Sequence, residues 1–74
     1  MNVEVRLFAT LREGRGKKVY FQLKAGLTPR IIIKELNIQE EDIAILLING
    51  RDGDFDRPLM EGDYLSIFPP VGGG

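Results

Sequence analysis

The segment Phe68-Pro69-Pro70-Val71-Gly72-Gly73-Gly74 closes on three glycines and a carboxylate, and it is where the residue types best suit chemistry. Glycine has no Cβ and reaches backbone conformations closed to other residues, so such a terminus can thread a channel too narrow for side chains and present its carboxylate inside another protein. Proline fixes φ just upstream and narrows the directions in which the tail can point. A terminal carboxylate, with a pKa of about 3.5, is anionic at neutral pH and a poor electrophile, so acyl transfer through Gly74 requires outside activation. Fully extended, the six residues after Phe68 reach at most about 20 Å, enough to enter a partner's active site while the domain docks outside. The competing reading is a frayed end without a role, because chain termini are often disordered.

The rest of the chain carries few catalytic groups. There is no histidine, which removes the commonest general base and metal ligand, and no cysteine, which removes disulfides, thiolate zinc sites and a nucleophilic thiol. Gly14-x-Gly16 lacks the third glycine of a dinucleotide fingerprint and precedes a strand, so it reads as a turn. No phosphate-cradling glycine loop followed by lysine occurs, so nucleotide chemistry must come from a partner. Asp52-x-Asp54-x-Asp56 followed by Asp63 has calcium-loop spacing, but Arg57 stands where that loop needs glycine, Pro58 follows, and strands replace the flanking helices. These aspartates read as a solvated turn with an Asx cap. No metal site is expected.

Composition sets further bounds. Seventy-four residues, 43% hydrophobic and 28% charged, describe one small globular domain that must draw its stability from its own core. A net charge of -1 provides no basic field for nucleic acid. Met1 to Leu11 alternates polar and apolar residues where a signal peptide would have an apolar block, and no run approaches membrane-spanning length, so a soluble, cytoplasmic protein is expected. Arg12, Arg15, Lys17 and Lys18 form a basic cluster that reads either as a solvated loop tip or as a dock for an acidic partner. Phe55, Leu59 and Phe68, with Pro69 and Pro70, read either as core or as an interface patch near the tail.

Positioning the tail falls to a short series of elements. Val3, Val5 and Leu7 alternate with Glu4, Arg6 and Phe8, and Val19, Phe21 and Leu23 with Tyr20, Gln22 and Lys24, which predicts a hairpin around the polar stretch Thr10 to Lys18. Thr28-Pro29 predicts a helix start, with the hydroxyl as cap and proline at the first helical position. The helix should run from Pro29 to Leu36 despite the β-branched run Ile31-Ile32-Ile33, because Ile32, Ile33 and Leu36 fall at helical spacing. Asn37 can end it in a left-handed conformation, with a short turn over Gln39 to Asp42. The continuous apolar run Ile43 to Ile48 predicts a strand buried on both faces. Asn49-Gly50, Asp52-Gly53 and Glu61-Gly62-Asp63 predict turns, and Tyr64 to Phe68 a last strand. An α+β domain follows, a mixed sheet of four to five strands with one main helix packed on one face. Its bounds are 1–68, with 69–74 as a flexible tail.

The spacing Phe55-Asp56-x-Pro58-Leu59-x-x-Gly62-Asp63, then Phe68-Pro69-Pro70-Val71-x-Gly73-Gly74, closely resembles the MoaD/ThiS family of ubiquitin-like sulfur carriers, most strongly its MoaD branch. Leu7-Phe8-Ala9-x-Leu11-Arg12-Glu13 also looks like the first strand and loop of that branch. The middle of the chain differs freely from the family pattern.

The resemblance implies a β-grasp fold and a carrier role with no catalytic residue within the chain. An E1-like adenylating enzyme using ATP and magnesium would form an acyl-adenylate at Gly74, and a sulfur donor protein would convert it to a thiocarboxylate. The chain itself would bind no cofactor. Gly72, Gly73 and Gly74 would be the segment inserted into partners, and Phe68, Pro69, Pro70, Val71, Phe55 and Leu59 the partner interface. The implied task is sulfur supply for molybdopterin as the small subunit of molybdopterin synthase, with that enzyme's large subunit as partner and the free chain a monomer. Two alternatives share the ending, a carrier for thiamine thiazole and a protein modifier joined to targets through Gly74.

Overall fold

The computed structural model describes residues 1–70, so Val71 to Gly74 lie outside the described residues. Five strands form one sheet: β1 (Asn2–Leu7), β2 (Lys18–Gln22), β3 (Ile45–Ile48), β4 (Arg51–Asp52) and β5 (Tyr64–Phe68), in the order β2-β1-β5-β3-β4. β1 and β5 run parallel at the centre, Val5 opposite Leu65 and Leu7 opposite Ile67, while the other neighbours are antiparallel. Among the described residues, one helix, α1 (Pro29–Glu35), and two short 3-10 turns, Ala9–Arg12 and Glu40–Asp42, join the strands.

The period of two decides which face is buried. Val3, Val5, Leu7, Leu46, Ile48, Leu65 and Ile67 point inward and join Ile32 and Ile33 of α1 in one core, closed by Leu11, Leu27, Ile38 and Leu59. Ile32 and Ile33 are fully covered, which explains how three β-branched residues stay helical: tertiary burial outweighs a propensity difference of well under 1 kcal/mol per residue. Thr28 Oγ1 accepts the Ile31 N–H at 3.3 Å, Pro29 opens the helix, and Leu36 caps its end one residue earlier than the spacing predicts. Asn37 then turns left-handed at φ 59. Asn49 (φ 55) and Gly50 (φ 81) make the tight turn between β3 and β4, with both residues in the left-handed region that the turn requires.

Two expectations are corrected. Ile43 to Ile48 is not a strand buried on both faces. Ile43 ends a 3-10 turn, and β3 alternates, with Leu46 and Ile48 inside and Ile45 48% exposed, because no described element covers the outer face of the sheet. Asp52-Gly53 is not a second tight turn either. Asp52 pairs with Leu47 in β4, and Gly53 N–H donates to Leu46 O at 3.0 Å, bringing the Gly53 backbone against the Ile48 side chain.

Candidate functional site

The parallel pairing of β1 with β5 brings both strands out at the same end of the sheet, so the chain following Phe68 leaves beside the chain following Leu7. The residues that follow the paired Leu7 and Ile67 project from the outer face and stack: the Phe8 and Phe68 rings lie 4.2 Å apart, centroid to centroid, and 11° from parallel. The Arg12 guanidinium lies 5.3 Å from the Phe8 ring centroid, and its Nε donates to Leu7 O at 2.8 Å. Ala9 turns the chain out of β1 at φ 54, a left-handed conformation costing a non-glycine residue about 1 kcal/mol.

An open groove of about 630 Å³ runs along this end, lined by Phe8, Ala9, Thr10, Ala44, Ile45, Phe68, Pro69 and Pro70. Its walls are mostly apolar, and Ala44 N–H donates to Phe68 O at 2.8 Å, pinning one wall to the other. Beyond the two prolines lies a smaller cleft of about 310 Å³ that Thr10, Leu11, Arg15, Asn37, Ile38 and Asp42 help to line. Pro69 and Pro70 thus line both depressions. Apolar surface at one concave place is what a protein interface presents.

Several expected site residues find their places here. Phe68, Pro69 and Pro70 are gathered at the groove. Val71, Gly72, Gly73 and Gly74 lie outside the described residues. Leu59 is not on this surface: at 6% exposure it packs in the core, and its N–H donates to Leu27 O at 2.8 Å. Phe55 is half-buried against the core and absent from the groove, because its carbonyl accepts the Arg30 N–H at 2.9 Å and its ring lies under the Arg30 guanidinium. Arg30 also pairs with Asp56 and Glu40, which holds that loop to the start of α1.

Phe8, Ala9, Thr10, Ala44 and Ile45 are the groove residues that the sequence reading misses. A signal was present for two of them, since Phe8 occupies an outward position in the β1 alternation and Ile45 sits in an apolar run that no one-sided strand can bury entirely.

The basic cluster proves mixed. Arg15 is no solvated tip: Nε donates to Leu36 O at 3.0 Å, Nη1 to Leu11 O at 3.1 Å and Nη2 to Asn37 O at 3.4 Å, so its guanidinium ties the open carbonyls after α1 to the 3-10 turn that holds Leu11. Lys17 and Lys18 remain exposed.

Just before β5, Gly62 turns at φ 88 and delivers Asp63 into a buried site. Its carboxylate accepts Asn49 Nδ2 at 2.7 Å, Met60 N–H at 2.8 Å and Arg57 Nη1 at 3.2 Å. Burial pushes its pKa up, but the hydrogen bonds from Asn49 and Met60 and the Arg57 charge outweigh that push and hold it below the usual carboxylate range. On the outer face Glu4 is also held low, chiefly by its hydrogen bond from Arg6, whose guanidinium covers the Tyr64 ring at 4.1 Å. Among the described residues, no group of three acidic side chains is placed to hold a metal, and no helix is long and apolar enough to cross a membrane.

A parallel central strand pair in a five-stranded mixed sheet and, among the described residues, a single helix on one face define a ubiquitin-like β-grasp domain. The ThiS family model matches residues 5–74, and the chain belongs to that family of ubiquitin-like sulfur carriers and modifiers. A small archaeal modifier protein 3 of Haloferax volcanii is 32% identical, with both chains covered completely. A candidate molybdopterin converting factor subunit 1 of Pyrococcus furiosus superposes with a TM-score of 0.76 at 26% identity, over 96% of this chain and 99% of that one. The complex of subunits 1 and 2 of the molybdopterin-converting factor of Helicobacter pylori contains a similar chain, with a TM-score of 0.66 at 27% identity and complete coverage of both.

Proposed function

We propose that this chain is a sulfur carrier that supplies sulfur for molybdopterin as the small subunit of molybdopterin synthase. The observation carrying this reading is the apolar groove built by Phe8, Ile45 and Phe68 at the root of a glycine tail. A partner covering the groove receives the tail in a fixed direction, and the two prolines reduce the entropy lost when it does so. Family membership and the two-subunit assembly of the H. pylori relative support the same role.

An E1-like enzyme with ATP and magnesium supplies the activation that the Gly74 carboxylate needs. The carboxylate oxygen bonds to the α-phosphorus and pyrophosphate leaves. A persulfide on a donor protein then displaces AMP at the acyl carbon to give an acyl disulfide, and a second thiol attacks the donor's sulfur, forming a disulfide with the donor and releasing the thiocarboxylate. With no cysteine in the chain, Gly74 is where transferable sulfur is held. The domain contributes binding and direction, and the partners contribute the reacting groups.

A second reading has its own support, since the H. volcanii relative is a modifier protein. In that role the activated Gly74 carbonyl is attacked by a lysine of another protein and an isopeptide bond forms. Mass measurement after incubation with the activating enzyme, ATP, magnesium and a sulfur donor separates the two. Exchange of one oxygen for sulfur at Gly74, followed by molybdopterin formation with the large subunit, is the expected result. Isopeptide adducts without molybdopterin formation would replace the first reading by the second.

A further inference from the structure

β2 is an edge strand, and among the described residues nothing pairs with its outer side. The pairing to β1 fixes which backbone groups are free. Leu7 N–H donates to Lys17 O and Leu23 N–H to Met1 O, so within the antiparallel register Lys17, Val19, Phe21 and Leu23 turn their peptide groups to β1. Lys18, Tyr20 and Gln22 therefore turn theirs outward. No proline interrupts β2, so all three residues keep both donor and acceptor.

Beside this edge an open groove of about 280 Å³ separates β2 from α1, with Phe21, Leu27 and Ile31 on its apolar walls. Ile31 is 40% exposed here, and Tyr20 is 58% exposed on the other side of the strand. An added strand would find apolar surface for both sets of its alternating side chains. Lys17, Lys18 and Lys24 flank the edge, and the stretch from Lys17 to Lys24 holds no acidic residue; Glu35 is the one carboxylate lining the groove.

We propose that the β2 edge binds an extended, acidic peptide segment of a partner protein, which adds to the sheet as a sixth strand. The lysines select this occupant. A second copy pairing edge to edge would bring two sets of three lysines together, the arrangement by which natural edge strands repel their own kind, whereas an acidic segment neutralises them. The edge lies beyond β1 from the strand that leads into the tail, and Phe21 pairs with Val3, at the end of β1 far from the tail exit. Docking there leaves the tail free to be charged or discharged.

The full chain, nitrogen-labelled for NMR, is titrated with the acetylated peptide Asp-Asp-Val-Thr-Val-Thr-Val-Asp. Saturable shifts at Lys18 to Gln22 and Ile31, with new exchange protection of the Lys18, Tyr20 and Gln22 amides, are expected. Joint Lys18→Glu and Lys24→Glu substitution should weaken binding by about tenfold or more. Tyr20→Pro should weaken it too while leaving the fold intact, because the Tyr20 N–H serves no bond to β1. Deleting Gly73 and Gly74 should leave binding unchanged, so the result stands apart from the carrier role. Absence of saturable shifts at millimolar peptide, equal binding of the version with lysine in place of aspartate, or self-association through β2 without peptide would each overturn the proposal.

Discussion

Asn49 and Asp63 hold each other across the turn between β3 and β4 and the start of β5. Asn49 Nδ2 donates to Asp63 Oδ1 at 2.7 Å, while Asn49 Oδ1 accepts the Tyr64 N–H at 3.0 Å. One side chain thereby ties together the left-handed turn that ends β3 and the strand that leads into the tail, and Asp63 extends the tie to Met60 and Arg57.

Asp63→Asn should therefore destabilise the domain by about 1–3 kcal/mol, the penalty for buried donors left without an acceptor. For a chain of this size that is a fall of roughly 4–8 °C in melting temperature per kcal/mol. The pH dependence has a defined sign. The Asp63 pKa is lowered in the folded state, so its stabilisation is complete above the unfolded-state value and is lost as pH falls through the folded-state value. The melting temperature should drop below about pH 4 in the natural chain and drop less steeply in Asp63→Asn. Parallel acid limbs in the two proteins would refute this role.

Gly53→Ala tests the close approach behind β3. A Cβ at Gly53 would sit 2.5 Å from Ile48 Cγ1 and 2.8 Å from Cδ1, and Ile48 is a core side chain with little room to retreat. Denaturant unfolding should show a loss of about 1–3 kcal/mol. Adding Ile48→Ala, which removes both Cγ1 and Cδ1, should make the double variant less unstable than the sum of the singles; strict additivity would exclude the clash.

Arg15→Ala should destabilise the domain by about 1 kcal/mol, since Leu11, Leu36 and Asn37 each lose a charged donor. Arg15→Lys should recover only part of this, because one ammonium cannot match the guanidinium fork across three carbonyls. Full recovery by lysine in thermal melts would show that charge alone matters.

Phe8→Ala separates stability from partner binding. Loss of the stack on Phe68 should remove about 0.5–1.5 kcal/mol beyond the buried area, leaving a folded domain. Ile45→Asp, at an exposed position, should leave stability nearly unchanged but slow charging by the adenylating enzyme about tenfold, if the groove is where partners press. Normal charging of both variants would move the interface elsewhere.

Much of the fold was legible because local signals agreed with one another. The alternation of Val3 to Phe8, the Thr28-Pro29 start, the left-handed Asn37 and the Asn49-Gly50 turn each follow from single-residue stereochemistry. What stayed hidden depends on neighbours distant in sequence. The run Ile43 to Ile48 looks the same whether its second face meets a protein layer or the outside, so Ile45 passed for core when it faces the groove. Leu59 and Arg15 show the same dependence. Leu59 could be read as core or as interface, and only its distant neighbours place it in the core, while Arg15 folds back onto carbonyls that the sequence does not place beside it. The site was legible in Phe68, Pro69 and Pro70, and illegible in its opposite wall.

The parallel pairing of β1 with β5 also bears on how the protein is made. The two strands at the middle of the sheet are the first and the last to be synthesised, and until Tyr64–Phe68 has emerged β1 can pair only with β2. Closing the loop between them costs entropy that later contacts must recover, so the central pairing forms only after β5 is available. A chain cut short before β5 therefore has no completed sheet and leaves the apolar residues of β1 without their neighbour, which makes the topology itself a check on synthesis.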